Sequence, residues 1–139
     1  MSVKIPDTVT YLGEYAFRSC SSLKSVHIPK GIKTIEMRAF LSCSSLESLT
    51  IPENITSIGL GAFSLCKKLT DVTIPGNVKT VGEGAFSNCT ELLNVTISDG
   101  VTSIGKSAFA SCYLLKSITI ADSVTSIGDD AFYWCSNLT

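Results

Sequence analysis

The chain has 139 residues, 45% of them hydrophobic, which is enough for one domain with a substantial core over residues 1–139. Eleven basic and twelve acidic residues give a formal charge of −1, so nothing draws the chain to a polyanion and we expect no nucleic-acid partner. No apolar run approaches the roughly 20 residues that span a bilayer, and we therefore expect no direct membrane insertion. The first residues, MSVKIPDTVT, lack the apolar stretch of a secretory signal peptide.

Several residue positions recur at a fixed interval of 23 residues along the whole chain. No insertion or deletion breaks this register, and a constant period between 20 and 50 residues is typical of a solenoid. One unit buries too little apolar surface to offset the cost of ordering it, so we expect the stacked array to be the smallest stable object. The recurring phenylalanines are Phe17, Phe40, Phe63, Phe86, Phe109 and Phe132, and the cysteines are Cys20, Cys43, Cys66, Cys89, Cys112 and Cys135.

One unit reads LxxVxIPxxVTSIGxxAFxxCxx and begins with a segment in which apolar and polar residues alternate. This alternation and the β-branched residues predict a short strand, as in residues 46–51. A proline such as Pro52 ends the strand, because proline cannot donate to a ladder. The next segment, as in residues 101–104, alternates again and predicts a second short strand. A glycine bend follows, and the spacing of Phe and Cys in AFxxC predicts a short helical turn.

The pattern LxxVxIPxxVxxIGxxAFxxCxx, in six copies, resembles the BspA-like, or treponemal-type, class of leucine-rich repeat proteins over essentially the whole chain. The resemblance implies an α/β repeat. This is a right-handed leucine-rich-repeat solenoid with a concave parallel β-sheet, and with short second strands and short helical turns on its other faces. Proteins of this class are commonly surface-exposed or secreted, and several are adhesins that bind host matrix proteins or other cells. The resemblance supplies no catalytic residue, and we expect no cofactor and no metal.

The six regularly spaced cysteines are open to more than one interpretation. Zinc sites use close pairs such as CxxC or include several histidines, whereas these cysteines are 23 residues apart and His27 is the only histidine. Neighbouring coils about 4.8 Å apart would permit disulfides. We interpret the cysteines as a buried packing column beside the phenylalanines, since free cysteine behaves as a small hydrophobe. Disulfides, and metal or redox chemistry, are the alternatives.

The outward-facing residues of the first strand in each unit form the candidate binding surface. Stacked coils present a wide, rigid array there, and solenoids commonly bind through such a surface. Threonine and serine also suit an exposed strand by β-propensity, so solubility alone is the alternative explanation. The candidate residues are Ser25, Ser48, Asp71, Asn94 and Ser117 in one column and His27, Thr50, Thr73, Thr96 and Thr119 in the next.

These patterns favour a non-enzymatic interaction or adhesion module, at the cell surface or secreted, with a protein or carbohydrate ligand on the concave face. Host extracellular matrix is the ligand that the resemblance suggests. An architectural spacer within a larger surface protein is the alternative, and an ice-binding array or an enzyme fits the pattern less well. The terminal repeats are incomplete and uncapped, so we expect a fragment of a longer protein and end-to-end self-association. Tyr133 and Trp134 are interpreted as closing the last coil, with an aromatic contact patch as the alternative.

Overall fold

The computed structural model describes residues 1–139 and consists of eleven short β-strands joined by turns, without any helix. The first repeat supplies one strand, and each of the later repeats supplies two, one from each alternating segment of the sequence. The strands are β1 (Ser2–Lys4), β2 (Ser25–His27), β3 (Thr34–Ile35), β4 (Ser48–Leu49), β5 (Ser57–Ile58), β6 (Asp71–Ile74), β7 (Thr80–Val81), β8 (Asn94–Ile97), β9 (Ser103–Ile104), β10 (Ser117–Ile120) and β11 (Ser126–Ile127).

Equivalent strands of successive coils pair in parallel, with a register of one repeat. The second strands β3, β5, β7, β9 and β11 form a continuous five-stranded sheet, in which Ile58 lies opposite Val81. The first strands pair in the same way, and Val72 lies opposite Val95. The prediction of a parallel solenoid with two short strands per unit is therefore confirmed.

The sheet formed by the first strands is interrupted once, between β4 and β6. It consists of two three-stranded parts, β1–β2–β4 and β6–β8–β10, and no ladder hydrogen bonds join them although β4 and β6 are neighbours in space. β4 contains only two residues, whereas β6 contains four. Its inward residue is Leu49, where the strands on either side have the β-branched Val26 and Val72. Leu49 still pairs with Val26 of β2, so the expected continuous sheet is interrupted only on the side that faces β6.

The AFxxC segment does not form the short helical turn that its spacing predicts, and this expectation is wrong. The segment is a run of tight turns, bounded in every repeat by two residues in the left-handed region. In one repeat these are Tyr15 (φ 59°) and Ser19 (φ 60°), and in another they are Gly84 (φ 60°) and Asn88 (φ 58°). A right-handed helix cannot continue through a residue with positive φ. Successive tight turns, and not a helix, therefore separate the Phe and the Cys that are three residues apart.

Backbone N–H groups of this segment alternate between bonds within the coil and bonds to the next coil. Phe86 donates its N–H to the carbonyl of Ala108 in the next coil at 2.7 Å, whereas Ser87 donates to Gly84, three residues back, at 3.0 Å. A helix would direct all of these N–H groups into itself. The turns therefore connect neighbouring coils along the third side of the solenoid, as the strands do along the other two.

The core consists of columns of apolar side chains that stack from one coil to the next. Phe40, Phe63, Phe86 and Phe109 are fully buried. Their rings lie nearly parallel, with neighbouring centroids 5.2, 5.2 and 5.4 Å apart, which is within the range of favourable offset stacking. The phenylalanines of the first and last repeats are only half-buried. Each central ring thus depends on neighbours on both sides, whereas each terminal ring has one.

Candidate ligand-binding face

The outward side chains of β2, β4, β6, β8 and β10, with the residues that directly continue these strands, form what we name the first-sheet face. It carries all ten binding residues predicted from the sequence, and nine of them are exposed, while Ser25 is half-buried. The parallel register places Asp71 beside Asn94 and Thr73 beside Thr96. The two predicted columns are thus brought together as neighbours on one surface.

Three side chains of this face form one hydrogen-bonded ladder across three adjacent strands. Asn94 Nδ2 donates to Asp71 Oδ1 at 2.8 Å, and Ser117 Oγ donates to Asn94 Oδ1 at 3.0 Å. The hydrogen bond from Asn94, followed by one from Thr70, lowers the pKa of Asp71 below its ordinary value, because both bonds favour the charged carboxylate. The ladder therefore holds an ionised carboxylate in a defined orientation at the surface.

The threonines beside this ladder differ from those on the opposite sheet. Thr73 and Thr96 are exposed, and their hydroxyl groups form no hydrogen bond to another protein group. On the side of the second strands, Thr56 and Thr102 donate their hydroxyls to backbone carbonyls of the preceding coil at 3.1 and 2.9 Å. The threonines of the second side brace the backbone, whereas those of the first-sheet face remain available to a ligand.

Two shallow grooves indent the first-sheet face. One, of about 610 Å³, lies near the N-terminal end and contains Lys4, Asp7 and His27, where His27 Nε2 is 3.5 Å from Asp7 Oδ1. Sequence reasoning missed Asp7, which directly follows Pro6. The residue at this position varies among the repeats, and the proline at the end of the strand is the signal that could have located it. The second groove, of about 380 Å³, lies at the sheet interruption and is lined by Leu49, Thr50, Ile51, Glu53, Asp71, Val72, Thr73 and Pro75.

The cysteine column lies in the core and is bonded to the phenylalanine column. The thiol of Cys66 donates to the carbonyl oxygen of Phe40 in the preceding coil at 3.4 Å, and the cysteines of the other coils after the first repeat this bond. Four cysteines are buried, whereas Cys20 and Cys135 in the end repeats are half-buried. No three His, Cys, Asp or Glu side chains converge as metal ligands would. The interpretation as a packing column is confirmed by burial for the four central cysteines.

The aromatic residues of the last repeat do not close the coil but lie on its surface. Tyr133 is 53% exposed and Trp134 is 60% exposed, and their rings stack with centroids 5.2 Å apart. Tyr113 adds a third ring, 6.4 Å from that of Trp134. The alternative interpretation, an exposed aromatic cluster, is the arrangement observed.

Comparisons with known proteins give a consistent result. A family model for the BspA type leucine-rich repeat region matches residues 1–114 and 58–139, with six copies. A leucine rich cell surface protein from Faecalibacterium prausnitzii A2-165 is 43% identical, with a TM-score of 0.90 over 99% of this chain and 37% of that protein. The T. pallidum leucine-rich repeat protein is 28% identical, with a TM-score of 0.84 over 99% of this chain and 78% of that chain. No curated protein matches the chain significantly.

A leucine-rich repeat protein from Eubacterium ventriosum ATCC 27560 is 27% identical, with a TM-score of 0.84 over 96% of this chain and 42% of that protein. The chain therefore spans well under two thirds of the F. prausnitzii and E. ventriosum proteins. No helix in the structure has the length and apolar character needed to cross a membrane. Because the repeat model accounts for the chain from end to end, the chain belongs to the BspA-type leucine-rich repeat family.

Proposed function

We propose that this chain is a non-enzymatic interaction module of a cell-surface or secreted protein, and that it binds a protein or carbohydrate ligand across the first-sheet face. The family resemblance implies that this face is the concave one. A surface location is supported by the F. prausnitzii relative, which is described as a leucine rich cell surface protein and is 43% identical to this chain. Host extracellular matrix is the ligand class that an adhesin of this kind would contact.

The observation that carries this proposal is the Asp71–Asn94–Ser117 ladder beside the unpartnered threonine hydroxyls. The ladder already holds its side chains in position, so these side chains lose less conformational entropy when a ligand binds. One hydrogen bond contributes only about 0.5–1.5 kcal/mol net, so useful affinity on so flat a surface requires many contacts. The repeat supplies these contacts, because each coil adds one more outward polar residue to each of the two columns.

A paired set of substitutions tests which face binds. The binding set changes Thr73, Asn94 and Thr96 to alanine, and the control set changes Ser57, Thr80 and Ser103 to alanine on three consecutive second strands. Binding to immobilised fibronectin, laminin, collagen and a glycan array is measured for both sets. We expect the binding set to weaken affinity about tenfold or more, with an unchanged denaturation curve, while the control set retains it. Loss of binding only in the control set would place the ligand on the other side.

An architectural spacer is the second candidate, and the unbroken phenylalanine stack supports it. Neighbouring rings from Phe17 to Phe132 are 5.2–5.7 Å apart throughout, so the repeats form one continuous rod. Deleting residues 69–91 removes one complete repeat and shortens the rod by about one strand spacing of 4.8 Å. A spacer should tolerate this deletion with its adhesion intact, whereas a module that binds through Asp71 should lose affinity.

We also propose that copies of the chain associate end to end. At one end of the solenoid, an apolar cavity of about 330 Å³ is lined by Val3, Phe17 and Cys20 of the first repeat. At the other end, Ile127 in β11 is 50% exposed. A second copy in the same register would continue both the sheet and the apolar columns. Sedimentation velocity should show concentration-dependent assembly that Val3→Lys and Ile127→Lys each reduce. A sharp monomer boundary at high concentration would contradict this proposal.

A further inference from the structure

A pocket of about 550 Å³ lies on the turn side of the coil, on a different surface from the first-sheet face. Its floor contains Ser64 and Ser87, whose hydroxyl oxygens are 2.9 Å apart. Ser64 is only 9% exposed, so the hydroxyl pair lies at the bottom of the pocket. A hydroxyl pair of this kind can both donate to and accept from a ligand.

The space above this floor arises from two adjacent glycines. The first left-handed position of the AFxxC turn carries Tyr15, Arg38, Ser107 or Asp130 in four repeats but Gly61 and Gly84 in the two between them. A Cβ atom on Gly84 would meet only Ser87 Oγ, at 3.5 Å. The other repeats place side chains on the same left-handed backbone, so a side chain at this position brings some strain but does not prevent the turn. The effect of the two glycines is an opening two coils wide, roughly 10 Å from the strand spacing.

Arg18 and Arg38 line this pocket together with Tyr15. Arg38 Nη1 donates to Tyr15 Oη at 3.0 Å, and the guanidinium carbons of Arg38 and Arg18 lie 5.9 and 5.7 Å from the tyrosine ring centroid. The stem of Arg38 passes over Gly61, where an added Cβ would lie 3.2 Å from Arg38 Cγ. This contact and the tyrosine bond fix the direction of the Arg38 side chain.

Neither arginine is neutralised by a neighbouring carboxylate. The three ion pairs of the protein involve Lys24, His27 and Lys68 as the cations. A guanidinium group has five N–H donors, so Arg38 keeps several after its single bond to Tyr15. The pocket thus presents an unpaired positive charge next to a hydroxyl floor.

We infer that this pocket binds a carboxylate-bearing sugar. The guanidinium groups of Arg38 and Arg18 receive the carboxylate, because the planar fork of arginine matches its two oxygens. Ser64 and Ser87 bond ring hydroxyls, and Gly84 lets the ring approach the backbone. The volume suits one or two sugar rings, since pockets of about 300–1,000 Å³ hold small molecules.

An acidic peptide is the competing anionic ligand, and the pocket disfavours it. Glu83 lies on the pocket lining, so a second carboxylate on the ligand would meet a like charge. A sugar acid carries one carboxylate and several hydroxyls, and its hydroxyls can donate to Glu83. The number and kind of groups in the pocket therefore fit the sugar acid better.

Titration with D-glucuronate, with D-glucose as the neutral counterpart, tests this inference. We expect glucuronate to shift the amide resonances of Gly61 and Gly84, and glucose to bind at least about tenfold more weakly, because the charge-assisted bonds are missing. Arg38→Gln should weaken glucuronate binding by about tenfold. Gly84→Tyr should block it by filling the opening. The matched control is Ser107→Tyr, at the same left-handed position in the next coil, and Tyr15 shows that this backbone accepts tyrosine.

Each opposing result overturns the inference. Equal binding of glucose and glucuronate would remove the role of the arginines, and unchanged binding in Gly84→Tyr would remove the pocket. Tighter binding of a glutamate-rich peptide or of inorganic phosphate than of glucuronate would identify a general anion or peptide site. The Thr73, Asn94 and Thr96 variants should retain glucuronate binding, so this test is independent of the first-sheet face.

Discussion

The thiol of Cys89 lies 3.3 Å from the carbonyl oxygen of Phe63 in the preceding coil. The same oxygen accepts the backbone N–H of Cys66 at 3.3 Å, so one carbonyl joins its own turn to the next coil. Cysteine suits this position because it is a small hydrophobe that retains a weak donor. Valine would fill the slot without bonding, and serine would bring a hydroxyl that is more costly to bury.

Stability should fall at high pH because of these buried thiols. Burial raises the pKa of Cys89 from its ordinary value of 9.0 to about 12. The folded state therefore keeps the proton after the unfolded chain has lost it, so this stabilisation is present below pH 9 and is lost as the pH approaches 12. The loss approaches about 1.4 kcal/mol per pH unit. Urea denaturation across this range should show a shallower fall for Cys89→Ala, and parallel curves for the two proteins would contradict the prediction.

Thiol reactivity should differ along the column. Cys20 and Cys135 are half-buried, whereas burial raises the pKa of the Cys89 thiol to about 12, so Cys89 forms the reactive thiolate least readily. Iodoacetamide should modify Cys20 and Cys135 first in the native protein and Cys89 among the last, as peptide mass mapping would show. After denaturation without reductant all six thiols should react, and a smaller number would indicate disulfides.

The phenylalanine column should be more sensitive at its centre than at its end. Phe86 is fully buried between Phe63 and Phe109, at 5.2 and 5.4 Å, whereas Phe132 stacks on one ring at 5.7 Å. Phe86→Ala should cost about 3–5 kcal/mol through lost contacts and a cavity. Phe132→Ala should cost less than half as much, because its half-buried site can relax. Equal losses in urea denaturation would show that the two environments do not differ as described.

The period of the sequence was sufficient to predict the coil and its two strands, since only a residue that faces the core must stay apolar in every repeat. It also placed the ten candidate residues on one face. It did not predict the AFxxC turns, because residues such as Ser19 and Leu65 give no sign of a positive φ and only some repeats carry a residue that favours it, such as Asn88. The Asp71–Asn94 bond depends on side-chain rotamers, which a repeat pattern does not determine. The turn-side pocket was missed because the variable positions were treated as surface, although Gly61 and Gly84 marked it.

Substitution by alanine should destabilise the fold much more at Gly82 than at Gly84, although both glycines lie in the same turn. A Cβ on Gly82 would lie 2.6 Å from the carbonyl oxygen of Ile58, whereas one on Gly84 would meet nothing closer than 3.5 Å. Gly82→Ala should therefore cost about 3 kcal/mol, because backbone of the neighbouring coil must move. Gly84→Ala should cost only about 1 kcal/mol, from the left-handed conformation at φ 60°. Similar unfolding midpoints for the two variants would show that the coils separate easily.

The charge on the first-sheet face should depend on Asn94. Its amide donates to Asp71 at 2.8 Å and is the largest cause of the lowered pKa of that carboxyl, so Asn94→Leu should raise the pKa of Asp71 towards its ordinary value. NMR titration of the carboxyl carbon measures this directly, and Thr119→Ala, on the same face but outside the ladder, is the matched control. The lowered pKa of Asp71 stabilises the fold at pH values above the pKa of the unfolded state, and this stabilisation is lost as the pH falls through the pKa of the folded state. Any change in the free energy of unfolding should therefore appear in acid, and it should stay small because the carboxyl group is exposed. An unchanged Asp71 pKa in Asn94→Leu would mean that the ladder does not hold in solution, and the proposed binding surface would lose its preorganised element.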